Sequence, residues 1–539
     1  MVFKLQFQSR RWYQDLSWVA AAAAFVFLIV PQGAVSGGRE QLANAKQFFG
    51  AGQYFTAARY AFQASQELPE NEKGDAYSWI SVGLSKAGLY HTASYFFIRT
   101  LETGNTEAKR RALAEAEDLL YRVGVDLLRN HLLKYTKIGD YDARNGSAYL
   151  YAMGKDLLLR GRENEAIKFF NGMDARSSLF PFALQLRGTA HAIVGDVPAA
   201  ISDFKECQKR SGGLVSRITD RVPEAGGHWL KQQRTLAEDL EARCLAGEAR
   251  TYYQAGQFSE SEEVYDRIPK SSFVWTDILF EQGWNAFAQQ QYNRALGKLV
   301  TYKSPLLEFV YNSEVEVLAA HTYLMLCLYN DSNQVINRFN KKYNSLGVEV
   351  KRYVEKNSHG YLGFFETGKK ALRGPLYSNN PFDRLLNRFV RSPYFQNLVA
   401  AEADLDSEKS AIARFASMQP GTSQNLAAGF PGFLGQVVGW RRKSVQELGG
   451  TYVKNSLIDF HNSLISDFEK MSFIKLEMLS RAKERLQTDA PALAERGRGN
   501  VVPVRKDWQY RWNFNGEFWA DELGDYVFGL ESDCGSAVQ

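Results

Sequence analysis

The sequence predicts a mainly α-helical protein whose first half is a row of repeated helix pairs. A short phrase, Gly-x-aromatic-x-x-small, recurs along the chain. Its copies begin at Gly52, Gly88, Gly161, Gly195 and Gly256, and a last copy begins with Gln290. These positions are separated by 36, 73, 34, 61 and 34 residues, so one interval is double and one leaves room for an insertion. A period in this range is typical of helical repeats.

The phrase has a physical reason at each of its positions. The glycine ends one helix, because a residue without Cβ adopts the left-handed conformation at little cost. Five residues later a small side chain lets two helices cross closely, and a second small residue is expected seven residues before the glycine. The pairs are Ala45 and Ala57, Ser81 and Ala93, Gly154 and Ala166, Gly188 and Ala200, Ala249 and Ser261, and Gly283 and Ala295. All twelve expected positions are small, which favours regular helix pairs over an irregular bundle.

This pattern resembles the tetratricopeptide repeat (TPR) family over roughly residues 38–340. Degenerate copies around Gly124 and around residues 330–339 fill the gaps, giving about eight helix pairs. The resemblance implies a TPR-like α-solenoid with a concave, peptide-binding groove over residues 37–342, and it names no specific partner.

The groove positions follow from the resemblance, since residues six before each turn line the concave face in this family. These residues and their neighbours are Lys46, Lys86, Lys155, Arg250, Tyr253, Trp284 and Phe287. Cations and aromatic rings would suit an extended peptide with acidic groups or a free carboxylate. The alternative is that the cations are only solvated.

Residues 1–36 have the features of an export signal. Lys4, Arg10 and Arg11 precede an apolar run of 15 residues over 16–30, and a small-x-small site ends at Ser36. We therefore expect cleavage after Ser36 and a periplasmic protein. An uncleaved inner-membrane anchor stays open, although the apolar run is short for a membrane span.

Four cysteines occur, and none lies in a Cys-x-x-Cys arrangement. An exported chain meets an oxidising compartment, where disulfides persist. Cys207 and Cys244 flank a segment rich in Gly that resembles an inserted loop, so a disulfide between them is a candidate, and two unpaired buried cysteines are the alternative. The apolar residues before Cys327 predict that it lies in an apolar helix, and we expect it in the core.

Residues 343–490 predict a helical extension without the repeat. From Val453 to Met478 large apolar residues recur at mostly three- and four-residue steps, which indicates one long amphipathic helix ending near Leu486. We expect its stripe to pack within the chain, most plausibly on residues 398–418, rather than to form a coiled-coil dimer.

Residues 491–539 change character and predict a small C-terminal β hairpin. Trp508, Tyr510 and Trp512 alternate with polar residues, and Asn515-Gly516 is the commonest tight hairpin turn. The segment from Trp512 through Trp519 to Tyr526 is similar to the ending of envelope TPR proteins associated with bacterial adventurous gliding motility. The aromatic patch to be tested consists of Trp508, Tyr510, Trp512 and Trp519.

Motifs for chemistry are lacking in the sequence. The seven histidines show no metal-ligand spacing, and there is no nucleophile elbow, P-loop or dinucleotide fingerprint. We therefore expect no enzyme and no cofactor. A net charge of +5 is too mild to indicate nucleic acid. The favoured function is a protein–protein scaffold of a bacterial envelope assembly. The alternatives are a cell-wall processing enzyme and peptidoglycan binding by the aromatic tail.

Overall fold

The computed structural model describes residues 32–103, 105–142, 145–221, 228–307, 309–357, 360–376, 378–418, 429–487, 505–512 and 525–534. These residues form 21 α-helices and two short strands, which confirms the mainly α class. The chain divides into two compact units. Unit 1 comprises residues 1–207 and 400–445, and unit 2 comprises 208–399 and 446–539.

Unit 1 contains ten complete helices and parts of three others. The complete helices are α1 (Gln32–Gly50), α2 (Tyr54–Glu67), α3 (Lys73–Lys86), α4 (Tyr90–Glu102), α5 (Thr106–Leu113), α6 (Ala116–Val123), α7 (Val125–Tyr135), α8 (Gly146–Leu159), α9 (Glu163–Asn171) and α10 (Phe180–Val194). The divided helices are α11 (Val197–Arg221), α20 (Pro393–Ser417) and α21 (Gly429–Gln487).

Unit 2 contains the other helices and both strands. These elements are α12 (His228–Gln254), α13 (Phe258–Asp266), α14 (Trp275–Ala288), α15 (Tyr292–Val300), α16 (Glu314–Met325), α17 (Tyr329–Lys356), α18 (Tyr361–Arg373), α19 (Pro381–Val390), β1 (Tyr510–Arg511) and β2 (Tyr526–Val527). The predicted boundary at residue 343 falls inside α17, which runs through that position without interruption.

The predicted turns adopt the left-handed backbone. The six residues that begin the phrase have φ between 60° and 85°. Gly124 has φ 97°, in the region where the degenerate copy was expected. The second degenerate copy begins at Cys327, which has φ 57° and lies between α16 and α17. Cys327 is buried, as expected of a core residue, but it is a turn residue, so the expectation that it lies within a helix was wrong.

The small residues before and after these turns are all buried. A Cβ added to Gly154 would lie 2.6 Å from the ring of Phe170, and one added to Gly188 would lie 3.0 Å from the ring of Phe204. Both rings belong to the second helix of their own pair. Gly154 and Gly188 therefore leave room for the rings of Phe170 and Phe204. This explains why a small residue on the first helix of each of these two pairs is matched by a large one on the second.

In unit 1, helices α20 and α21 add aromatic contacts to the first repeats. Phe55 of α2 stacks on Phe415 with ring centroids 4.8 Å apart and also contacts Phe430. Phe433 of α21 contacts Phe62 at 5.2 Å and Tyr95 of α4 at 5.8 Å. The rings in these contacts come from segments far apart in the sequence, so no local sequence pattern predicts that they meet.

In unit 2, the predicted long helix packs within the chain, as expected. Its apolar stripe joins a core built with α17, α18 and α19, and the members from α21 are Val453, Leu457, Phe460, Leu464, Met471, Ile474 and Met478. The helix begins at Gly429, well before the predicted start near residue 453. The expectation that residues 398–418 form the main surface for this stripe was wrong.

The C-terminal β element is a parallel pair, so the predicted hairpin was wrong. Tyr510 pairs with Tyr526, and Arg511 pairs with Val527. The predicted turn at residues 515–516 lies outside the described residues. Asn293 of α15 holds the tail through three hydrogen bonds of 2.9–3.1 Å to the backbone of Phe528 and Leu530. A disulfide joins Cys327 to Cys534. The position of the tail is thus fixed by its hydrogen bonds to α15 and by the disulfide to Cys327.

Candidate functional site

The four predicted groove cations all form ion pairs with a carboxylate of a neighbouring helix or its cap. Lys46 lies 3.4 Å from Asp75, Lys86 lies 2.8 Å from Glu115, Lys155 lies 2.9 Å from Asp126, and Arg250 lies 2.5 Å from Glu281. We call these four contacts the ion-pair ladder. The carboxylates offset the positive charge that the sequence suggested for an acidic partner. The cations are neither simply solvated nor an isolated positive surface.

The predicted groove aromatics form two clusters in unit 2. Tyr253 packs on Phe258 with ring centroids 5.5 Å apart. Trp284 packs edge-on against Phe287 at 5.5 Å, and Phe287 lies 4.9 Å from the ring of His321. Trp284 and Phe287 are partly buried and contribute to packing among α14, α15 and α16.

A polar cleft opens beside this cluster, entirely within unit 2. It has a volume of about 570 Å³ and is bounded by α14, the start of α16, α19 and the middle of α21. Its aromatic wall consists of Phe280, Tyr311, Phe389 and Phe460. Its charged residues are Asp277, Glu281, Glu314, Asp459 and Asp467 with Arg388 and Lys470. Four serines, Ser313, Ser456, Ser463 and Ser466, complete the polar lining.

The charged groups of the cleft are held by contacts across helices. Ser313 donates a hydrogen bond of 2.6 Å to the buried carboxylate of Asp467. Lys470 bridges Asp467 at 3.0 Å and Glu314 at 3.1 Å. Arg388 contacts Asp277 at 3.2 Å and donates to the carbonyl of Tyr311. These bonds fix the cleft wall in the free protein.

The electrostatics of the cleft are weighted towards negative charge. Five carboxylates line the cleft, and they are opposed by Arg388, Lys470 and, at Glu281, Arg250. Burial raises the pKa of Glu314, although Lys470 opposes that shift. Burial also raises the pKa of Asp459. For Lys470 burial lowers the pKa, but the carboxylates of Glu314 and Asp467 outweigh it and the pKa is raised. A cationic group of a ligand would find the complementary charge here.

The aromatic tail lies on the helices only in part. Val527 is fully buried against α15, and Trp512 packs edge-on against Tyr526 at 4.7 Å. Trp508 and Tyr510 remain 58% and 66% exposed. Trp519 lies outside the described residues. Among the described patch residues, Trp508 and Tyr510 are therefore exposed, whereas Trp512 packs within the tail.

The cysteine chemistry differs from the sequence expectation in one respect. Cys207 and Cys244 are both buried and disulfide-bonded, so neither is a free thiol. The second disulfide, between Cys327 and Cys534, was missed. Cys534 lies near the chain end, and its aromatic context gave no indication of a partner 207 residues away.

Several residues of the cleft were also missed by sequence reasoning. Asp467 and Lys470 lie in the long amphipathic helix but belong to no motif, and neither does Arg388. One sequence signal could have found Asp467: it lies beside the apolar stripe of the long helix, at a position that faces the core. Among the described residues, no group of three or more His, Cys, Asp or Glu side chains is placed to hold a metal ion.

No helix in the described part of the chain is long and apolar enough to cross a membrane. Comparison of the sequence with known protein families gives no match. Comparison with curated proteins gives no match either.

Proposed function

We propose that this protein is a non-enzymatic scaffold of about eight TPR-like helix pairs that binds a segment of a partner protein. The observation that carries the proposal is the repeated coincidence of a left-handed turn with small buried residues on both sides. Such repeats stack into extended surfaces whose usual task is recognition of other chains. An envelope assembly is the proposed setting, because the sequence begins with the features of an export signal.

The cleft in unit 2 is the proposed contact site for the partner. It has the size range of known ligand pockets, about 300–1,000 Å³, and it is lined by aromatic rings and fixed polar groups. Its excess of carboxylates favours a segment that carries Lys or Arg. This revises the acidic partner expected from the groove cations, since the ion-pair ladder already offsets their charge.

A crosslinking experiment on the full chain tests this contact. A photo-crosslinking amino acid at Ser463, which is exposed at the cleft, should trap a partner in cells. The matched control is Ser410, another exposed helical serine that lies on α20. Mass spectrometry then identifies the trapped peptide, which should contain Lys or Arg.

The same two positions serve for a binding measurement. Ser463→Arg places a cation and a long side chain in the cleft, so affinity for the identified segment should fall about tenfold or more, whereas Ser410→Arg should have no effect. Two like charges placed opposite each other at a close contact typically cost several kcal/mol of binding free energy. Equal affinity of the Ser463→Arg variant and the wild type would exclude the cleft.

A second candidate function rests on the two exposed rings of the tail. Trp508 and Tyr510 could stack on sugar rings of peptidoglycan, and Lys506 lies 5.0 Å from the ring of Trp508. The double variant Trp508→Ala/Tyr510→Ala of the full chain should then lose co-sedimentation with purified sacculi. Unchanged co-sedimentation would leave the protein scaffold as the remaining candidate.

A further inference from the structure

Helix α21 has a second apolar face that the protein core does not use. Ile465, Phe473, Leu476 and Leu479 are 48%, 72%, 64% and 53% exposed. They lie on the side of the helix away from Leu464, Met471 and Met478, which are buried in the core of unit 2. We call the four exposed residues the outer stripe. A stripe of this kind is a typical contact surface between helices.

The charges beside the outer stripe are arranged symmetrically about Leu476. Glu469 and Lys483 stand seven residues before and after Leu476, and Phe473 and Leu479 stand three residues before and after it. Seven residues make about two helical turns, so Glu469 and Lys483 lie on the same face as Leu476. Both are exposed. Phe473 and Leu479 therefore occupy equivalent positions on the two sides of Leu476, and Glu469 and Lys483 occupy equivalent positions with opposite charges.

We propose that two copies of this chain associate through the outer stripe as an antiparallel, two-fold symmetric pair of α21 helices. A two-fold axis beside Leu476 brings residues equally far before and after it opposite each other in the two copies. Phe473 then packs beside Leu479 of the second copy, and Glu469 faces Lys483 of the second copy. The Phe473–Leu479 contact and the Glu469–Lys483 ion pair each occur twice, because the interface is formed by the same patch on each copy.

Charge complementarity selects this occupant and this direction. A parallel arrangement would place Glu469 against Glu469 and Lys483 against Lys483, which is unfavourable at such distances. An anionic lipid surface would meet the carboxylate of Glu469 in the middle of the apolar face. A second copy in the antiparallel direction satisfies both charges and covers Phe473, Leu476 and Leu479, while Ile465 falls opposite position 487 at the end of α21.

The apolar area of the outer stripe determines the affinity that we expect for the dimer. Four side chains with these exposures present roughly 400–500 Å² of apolar surface per copy, the size of the largest patch on many monomers. Two copies would bury roughly 1,000 Å² in total, near the lower limit for specific interfaces. The dimer should therefore be reversible, with a dissociation constant on the order of micromolar.

The test is sedimentation of the purified full chain over a range of concentrations. We expect a shift from monomer to dimer in the micromolar range, and Phe473→Glu should weaken the dimer at least tenfold. Glu469→Lys alone and Lys483→Glu alone should each weaken it, because each creates two repulsive pairs. The double variant Glu469→Lys/Lys483→Glu should restore wild-type association.

The double variant separates the antiparallel dimer from the other occupants of this face. Glu469 and Lys483 stand 14 residues apart on one helix and cannot contact each other, so only a second copy in the antiparallel direction produces the rescue. A chain that stays monomeric throughout the range, or a double variant without rescue, would overturn the proposal. All these positions are exposed, so at concentrations where the protein is monomeric the thermal unfolding of the variants should match that of the wild type.

Crosslinking gives an independent readout of the axis. Leu476→Cys places two thiols beside the two-fold axis, and mild oxidation should give a covalent dimer on a non-reducing gel. Lys475→Cys is the matched control, because it is an exposed neighbour about 100° around the helix and should crosslink much less. Equal crosslinking at both positions would contradict the proposed face.

Discussion

One buried carboxylate, Glu408, holds the start of helix α4 in unit 1. It accepts hydrogen bonds from the backbone N–H groups of His91 at 2.7 Å and Thr92 at 3.0 Å, and from the hydroxyl of Thr92 at 3.2 Å. Carboxylates at this end of a helix satisfy otherwise unpaired donors. Even so, burial outweighs these bonds and raises the pKa of Glu408 from 4.5 to about 7. Burial, assisted by Arg441, lowers the pKa of His91 from 6.5 to about 3.

The two shifts act on stability in opposite directions. The raised pKa of Glu408 gives stability that is present at low pH and is lost as the pH rises from about 4.5 to about 7. The lowered pKa of His91 gives stability that is present above about 6.5 and is lost as the pH falls towards about 3. Between about pH 4.5 and 6.5 the two slopes oppose each other, so their combined effect is small.

Removal of one group should therefore expose the slope of the other. In Glu408→Gln, we expect the free energy of unfolding to rise with pH between 4.5 and 6.5 by up to about 1.4 kcal/mol per pH unit relative to wild type. In His91→Phe, it should fall with pH over the same window. Urea unfolding at several pH values measures both. Parallel pH profiles for both variants and wild type would show that neither group titrates in this way.

At the scale of elements, the glycines of helix α21 differ in what surrounds them. A Cβ added to Gly439 would meet no atom within 4 Å, whereas one added to Gly450 would lie 2.0 Å from the carbonyl oxygen of Tyr361 in α18. The sequence shows both simply as glycines within a helical pattern. Only the crossing of α18 and α21 distinguishes a necessary glycine from an unnecessary one.

The same substitution should consequently have opposite effects at these two sites. Gly439→Ala should stabilise the protein by about 0.5–1 kcal/mol, because alanine is the better helix former. Gly450→Ala should destabilise it by about 1–3 kcal/mol, because the helices must move apart. Chemical denaturation of the two variants provides the comparison, with each serving as the control of the other. A stabilised Gly450→Ala variant would mean that α18 and α21 do not cross this closely.

The whole molecule depends on a disulfide between residues far apart in sequence. Cys327 and Cys534 are separated by 207 residues. Cys534→Ser should therefore destabilise unit 2 by about 2–5 kcal/mol. The tail beyond residue 504 should become more accessible to protease, since only non-covalent contacts, such as those of Asn293 and Lys298, would then hold it. Limited proteolysis followed by mass spectrometry measures this, and reductant should produce the same cleavage in the wild type. Resistance of the tail in the variant would show that the disulfide is dispensable.

Export of the whole chain is tested by its mass. We expect removal of residues 1–36, so that the mature chain begins at Gly37. Helix α1 runs from Gln32 through the expected cleavage site, and its contact with α2 begins just after that site, because a Cβ at Gly38 would lie 3.1 Å from Glu67. Intact-mass measurement of protein from the periplasmic fraction decides the matter. A chain that retains residues 1–36 in the membrane fraction would indicate the anchor instead.

The sequence by itself determined the mainly helical class and the positions of the repeat turns. A left-handed turn favours glycine and a close helix crossing favours small residues. Because these positions lie close together in the sequence, a local pattern reveals them. Even Gln290, which lacks the usual glycine, was found through its spacing and adopts φ 60°.

Only the tertiary structure decided which distant residues meet. The bond from Cys327 to Cys534 and the parallel direction of β1 and β2 join segments whose separation carries no periodic signal. The carboxylates that pair with Lys46 and Arg250 lie on other helices, and only the packing of those helices brings each pair together. The long helix shows the difference most clearly. Its pattern predicted an apolar stripe, but the packing of α17, α18 and α19 determined which face of α21 is buried and which remains exposed.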